Sequence, residues 1–187
     1  MTLALRPRVA LSEAALLTAA AAVAVAQAVE ALTGRVCGIK WVNDVCLDGK
    51  KLCGILTEAN GSFEMDALSS VCVGIGVNVH TRAFPEEFAA RAASLYPLPV
   101  SRNRLAAEIA VRVLDFAADL PARRFLAEYR ARSLALGHEV AFVKNGEEKR
   151  AWAVNINENG ALVVRYADGR EETLNAGEVR LIVEAQP

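Results

Sequence analysis

Histidine is scarce in this 187-residue chain, with only His80 and His138 present. Its four cysteines, Cys37, Cys46, Cys53 and Cys72, include no C-x-x-C pair. So few soft ligands at such spacings speak against a structural zinc site. Net charge is lacking too. The 21 Lys and Arg residues nearly balance 22 Asp and Glu, leaving −1. That balance offers no general attraction to nucleic acid or an anionic membrane. With no helix-turn-helix and no basic patch, a DNA-binding role is not expected. The chain shows no internal repeat, no P-loop, no nucleophile elbow and no metal motif. The triplet Asn60-Gly61-Ser62 fits a glycosylation sequon by chance. Disorder is excluded by a composition that is 53% hydrophobic and 23% charged. The cysteines lie in apolar runs and read as buried thiols, which fits a reducing cytoplasm.

What the chain does have is a long apolar run from Ala14 to Ala31, close to the length of a membrane span. It is built from Ala rather than Leu, Ile or Phe, and Gln27 interrupts it. Ala is the best helix former but a weak membrane anchor, so a buried core helix is expected. The run also starts too late for a signal peptide. Ser12 is the expected N-cap, and Thr33-Gly34 closes the helix.

Around it, residues 2–9 read as a short strand stopped by Pro7. Strands are expected at 36–41 and 44–47. Asp48-Gly49 marks a hairpin into Leu52–Leu56, and Asn60-Gly61 marks a second hairpin into a strand at Val71–Val79. Residues 83–100, with three prolines, read as a loop containing one short helical piece. From Ser101, Leu105, Ile109, Val113 and Phe116 recur at helical spacing. Pro121 ends that helix, and a second runs through Phe125, Leu126 and Tyr129. Beyond Gly137, the pairs Asn145-Gly146, Asn159-Gly160 and Asp168-Gly169 punctuate short strands, as in a barrel of about five strands. This tail carries a net −3, and the first 136 residues +2. The expected division is 1–136 and 137–187.

Two segments hold more chemistry than a bare core needs. In Lys40-Trp41-Val42-Asn43-Asp44 followed by Lys51-Leu52-Cys53-Gly54-Ile55-Leu56, a lysine enters an apolar strand. Burying it is costly unless it meets an anion. The plainer alternative is a snorkelling lysine at a hairpin edge, with Asn43-Asp44 as turn formers. In Gly74-Ile75-Gly76-Val77-Asn78, two glycines at alternate positions expose backbone on one face. A flat ligand needs that, but so does a strand packed under a helix. A Rossmann fingerprint is ruled out by the missing third glycine. His80 and His138 read as surface or strand-end residues.

In order, spacing and identity, these segments resemble three motifs of the biotin–protein ligases: Lys-Trp-Pro-Asn-Asp, Lys-Leu-Ala-Gly-Ile-Leu and Gly-Ile-Gly-Ile-Asn. The resemblance covers nearly the whole chain. It implies an α/β fold of the α+β type, with a mixed, mostly antiparallel sheet flanked by helices and a C-terminal SH3-like barrel at 137–187. It implies a biotin–[acetyl-CoA-carboxylase] ligase. Biotin and ATP form biotinyl-5′-AMP with Mg²⁺ on the phosphates, and a lysine of a biotin carboxyl carrier domain then takes the biotin. Lys51 matches the catalytic lysine touching the biotin carboxylate and the α-phosphate, a contact worth about 2–4 kcal/mol in the transition state. Gly54, Ile55 and Leu56 match the biotin wall. Lys40, Asn43, Asp44 and Asn78 match the nucleotide side. No metal is held by a dedicated protein cluster.

Two departures stand out. Val42 replaces the family's proline, and the Gly-Arg-rich loop that closes over biotin is absent from these residues. The chain reads as the later part of a catalytic domain. Met1 is then an internal methionine of a longer ligase. Alternatively, a separate polypeptide supplies the first half, or the chain is a diverged non-catalytic biotin- or adenylate-binding module. A homo-oligomer, or a complex with the missing half, is expected.

Overall fold

In the computed structural model, residues 1–7, 9–62 and 67–182 are described, with Ser12 and Ala67 through their backbone alone. The chain begins with β1 (Thr2–Leu5), and a 3₁₀ turn at Leu11–Glu13 leads to α1 (Leu16–Thr33). Next come β2 (Gly38–Lys40), β3 (Asp44–Leu47), β4 (Lys50–Ser62) and β5 (Ala67–Val77). Three helices follow: α2 (Glu86–Ala89), α3 (Arg102–Ala118) and α4 (Leu126–Ala131). The chain closes with β6 (Glu139–Lys144), β7 (Glu147–Ile156), β8 (Leu162–Arg165), β9 (Glu171–Leu174) and β10 (Val179–Leu181).

Two five-stranded sheets result, ordered β1-β5-β4-β3-β2 and β10-β6-β7-β8-β9. Every strand pairing among the described residues is antiparallel, and the parallel element is two isolated bridges, Ile39 to Ser133 and Lys51 to Ala92. The second sheet forms a β-rich C-terminal unit of five strands, the number expected, with left-handed glycines at Gly146, Gly160 and Gly169 in its turns.

α1 is long and apolar enough to cross a membrane by length and composition, yet most of it is buried inside the fold. Its alanines let α3 and the first sheet approach closely, and Leu105, Ile109 and Val113 of α3 are buried against that core. Gly34 ends α1 in the left-handed conformation at φ 69°, as expected. The expected cap at Ser12 is not where the helix starts. Ser12 lies in the 3₁₀ turn with its side chain outside the described residues, and α1 begins after Ala15 without a side-chain cap. Ser101 does cap α3, its hydroxyl accepting from the Arg104 amide at 3.4 Å.

The second hairpin also differs. Asn60-Gly61 lies within β4, where the register shifts, and the connection to β5 falls beyond Ser62. A long partner strand therefore overrode the local turn signal: Asn60 pairs with Ser70 and Gly61 with Leu68, so the bulged residue is Ser69 of β5, opposite the Asn-Gly pair. Asp48-Gly49 is the turn that was expected, with both residues at positive φ.

Candidate active site

The site is built on the face of the first sheet that α1 does not cover. Asp44 of β3 pairs with Gly54 of β4, and Gly54 pairs with Gly76 of β5, so three strands put a carboxylate and two bare backbones in one row. Gly74 lies one pleat further, opposite Leu56. Lys51 is three residues from Gly54, and in a regular strand they would face opposite sides. A bulge prevents this. Val45 pairs with Cys53 but Cys46 pairs with Lys51, so Leu52 is the extra residue and Lys51 returns to the face of Gly54.

Lys51 then lies across Gly54. A Cβ placed on Gly54 would meet Lys51 Cε at 3.1 Å and Nζ at 3.3 Å. Lys51 Nζ stands 2.7 Å from Asp44 Oδ1. This buried oxygen has the ammonium charge beside it and no other hydrogen-bond partner.

A cleft of about 550 Å³ opens here, within the range of small-molecule sites. It brings together Lys40, Asp44, Lys51, Gly54 and Asn78 of the residues singled out in the sequence. Asn43 lies beside it in a smaller trough shared with Lys40, Asp44 and Lys51. Asn43 also acts as a clamp: its side-chain amide donates to the Ile55 carbonyl at 2.8 Å, and the Ile55 amide donates to its carbonyl at 3.0 Å. Asn78 donates its side-chain amide to the Ala93 carbonyl at 3.1 Å, holding the loop after β5.

Ile55 and Leu56 are not brought to the same face. Leu56 is exposed on the open face, whereas the Ile55 side chain is buried in the core. Strand alternation dictates this, and Ile55 serves the site through its backbone. The expectation of four buried thiols also needs correction: Cys37, Cys46 and Cys53 are buried, but Cys72 is exposed. It sits on β5 two and four residues before Gly74 and Gly76, on their uncovered face. Burial pushes the Cys53 thiol up to about 12, with Asp44 adding to the effect, and the Cys37 thiol up to about 11. His80 and His138 are exposed, each bonded to a backbone carbonyl.

Other cleft residues carried no sequence signal. Phe84, Phe88 and Arg91 come from the segment read as a loop with one short helical piece, which is α2 and carries Phe88, and the Arg91 guanidinium lies 5.1 Å over the Phe88 ring. That loop is tied down beside the lysine: the Lys51 amide donates to the Arg91 carbonyl, and the Ala93 amide to the Lys51 carbonyl, both at 2.8 Å. Glu178 arrives from the turn before β10, accepting from Lys40 Nζ at 3.1 Å. Hydrogen bonding from the Lys40 ammonium holds the Glu178 carboxyl below its usual range. Lys40, Lys51 and Arg91 thus face Asp44 and Glu178, an excess of one positive charge suited to an anionic ligand.

The Biotin/lipoate A/B protein ligase family matches over residues 1–78, and the Biotin protein ligase C terminal domain over residues 135–181. The chain is similar to the biotin–[acetyl-CoA-carboxylase] ligase of Paracoccus denitrificans, 32% identical over 187 residues, covering 91% of this chain and 75% of that protein. It is similar to the bifunctional ligase/repressor BirA of Bacillus spizizenii, 46% identical over 97 residues. That match covers 51% of this chain and 29% of the Bacillus protein, so the chain spans less than a third of that relative's length. Among solved structures, biotin protein ligase from Aquifex aeolicus in complex with biotin and ATP superimposes with a TM-score of 0.79 at 25% identity, covering 97% of this chain and 76% of that one.

Proposed function

We propose, starting from the fact that this chain belongs to the biotin–protein ligase family, that it carries the adenylating site of a biotin–[acetyl-CoA-carboxylase] ligase. The observation that carries this reading is the Lys51–Asp44 pair across Gly54, opposite the bare backbone of Gly76. In the first step a biotin carboxylate oxygen bonds to the α-phosphorus of ATP, and pyrophosphate leaves with the electron pair of the broken P–O bond. In the second, a carrier lysine amine bonds to the acyl carbon, AMP leaves, and the nitrogen loses a proton.

Lys51 stands between the carboxylate and the α-phosphate and balances charge that develops on both. Gly54, Gly76 and Leu56 form the surface on which biotin lies, with Ile55 contributing backbone. Lys40, Arg91 and Asn78 serve the nucleotide side, and Asn43 fixes the turn that carries Asp44. Among the described residues no group of three or more His, Cys, Asp or Glu forms a metal cage. Mg²⁺ is held mostly by nucleotide phosphates with one or two carboxylates. Asp44, whose Oδ1 has no hydrogen-bond partner besides the Lys51 ammonium, is the carboxylate that would hold it. Bound there, the ion would supply charge neutralisation on the phosphates.

Residues 1–136 are proposed as part of the catalytic domain and 137–187 as the SH3-like barrel beside it. The carrier domain is the protein partner, and the location is cytoplasmic, in line with four free thiols. Among the described residues β1 lies at the edge of its sheet, and a homo-oligomer, or a complex with a polypeptide bearing the Gly-Arg-rich loop, is part of this reading. A second reading takes the same cleft as a binding site alone. On that reading the chain binds biotinyl-5′-AMP without making it.

Isothermal titration with biotinyl-5′-AMP tests both readings. Binding with biotin- and ATP-dependent pyrophosphate release supports the ligase. Binding without release supports the binding module, and no binding overturns both.

A further inference from the structure

We infer that Tyr129, outside the cleft, is a positioning residue that sets the geometry of the Lys40–Asp44 turn. Lys40 and Asp44 are a paired couple across β2 and β3, and residues 41–43 form the turn between them. Each turn residue is anchored by a different element. Trp41, buried, donates its indole N–H to the Gly160 carbonyl at 3.0 Å, in the turn between β7 and β8. Asn43 is doubly bonded to Ile55 of β4. Between them the Val42 carbonyl accepts from Tyr129 Oη of α4 at 2.8 Å.

Tyr129 is wholly buried, and burial raises its hydroxyl pKa, so it remains a neutral donor across the working pH range. The next residue, Arg130, donates from Nε to the Ile156 carbonyl at 2.6 Å and pairs with Glu158 at 2.7 Å. Thus α4 grips the turn directly through Tyr129 and also grips the β7–β8 turn that holds Trp41. Without the Tyr129 hydroxyl, Val42 loses the central of three anchors. Its peptide becomes free to rotate, and Asn43 and Asp44 follow it in the chain. A buried donor of this kind is expected to act on the cleft without touching a ligand.

The ligand readout rests on the proposed function; a ligand-free readout does not. Tyr129→Phe keeps the ring that fills the core, and Val113→Ala in α3 serves as a control that loosens the fold elsewhere. Amide resonances of Asn43, Asp44 and Ile55 are followed by ¹H–¹⁵N NMR without ligand, and biotinyl-5′-AMP affinity by titration. Tyr129→Phe is expected to shift those amides and weaken the adenylate about fivefold to tenfold, as one lost hydrogen bond implies. Val113→Ala is expected to lower the melting temperature with the three amides and the affinity unchanged. Unmoved amides in Tyr129→Phe, or equal losses in both variants, would overturn the inference. If the unsubstituted protein binds no adenylate, the functional reading fails, and the amide shifts alone decide the role of Tyr129.

Discussion

Lys51 and Asp44 stand on neighbouring strands with Nζ and Oδ1 2.7 Å apart, and the bulge at Leu52 is what puts them on one face. The pair is half open to solvent on the lysine side, so screening leaves it little weight in stability. Its value lies in presenting an ammonium group over a glycine backbone.

Lys51→Ala is therefore expected to separate function from folding. Biotin- and ATP-dependent pyrophosphate release should fall by about 10²–10³-fold, as for loss of a charge-stabilising donor. The urea midpoint should fall far less than activity does: the lysine side of the pair is half exposed, although Asp44 Oδ1 loses its counter-charge. A loss of stability as large as the loss of activity would assign Lys51 to the fold instead.

Gly54→Ala adds a methyl where Lys51 Cε and Nζ lie at 3.1 and 3.3 Å. The neighbour is the flexible end of a lysine, so the fold should survive. Lys51 should be pushed off its line to Asp44, and the adenylate affinity should drop about tenfold or more. Titration beside a thermal melt checks this, and unchanged affinity would count against the geometry.

Gly38→Ala tests a different contact. Its Cβ would fall 2.5 Å from Leu134 Cδ2 and 2.8 Å from Cγ. Leu134 follows the bridge that covers the edge of β2, with its amide bonded to Ile39 at 2.9 Å. Overpacking of this kind costs about 1–3 kcal/mol, readable as a lower urea midpoint at constant slope.

Thiol chemistry and pH give the last prediction. Cys72 alone is exposed, so a disulfide reagent at pH 8 should label one thiol of four in the native protein and none in Cys72→Ser. Cys53 rises from 9.0 to about 12, Cys37 from 9.0 to about 11, and Cys46 also rises. Above pH 9 the unfolded chain sheds thiol protons that the folded chain retains, so stability falls as pH rises from 9 toward 12. The slope is about 1.4 kcal/mol per pH unit for each thiol held neutral. Urea midpoints measured between pH 8 and 10.5 should decline, and less steeply in Cys53→Ala. A flat profile would mean the thiols are accessible to water.

Of the two alternatives for Gly74 and Gly76, packing under a helix does not hold. α1 packs on the other side of the sheet, where Val71, Val73 and Ile75 are buried, and the glycine face stays open. Which face of β5 the helix would take was invisible in a pattern that alternates either way. The snorkelling lysine at a hairpin edge was half right: Lys51 is exposed and follows the Asp48-Gly49 turn, but its ammonium meets a buried carboxylate oxygen.

Local chemistry settled much of the architecture before any contact was known. Asp48-Gly49 and Gly34 adopt left-handed φ because their own side chains permit it at little steric cost, and the repeat from Leu105 to Phe116 follows helical geometry. The alanine run was readable as a core helix for the same reason. Other features depended on residues far away in the chain. Pairing with β5 kept Asn60-Gly61 extended opposite a bulge at Ser69, the shift at Leu52 turned Lys51 toward Gly54, and the loop and the second sheet brought Arg91 and Glu178 to the cleft. Backbone preferences act over a few residues, whereas register and facing are set by the partner strand across a turn, and the cleft walls by elements dozens of positions distant. A one-residue slip reverses every side chain in a strand, so no local reading could assign those faces.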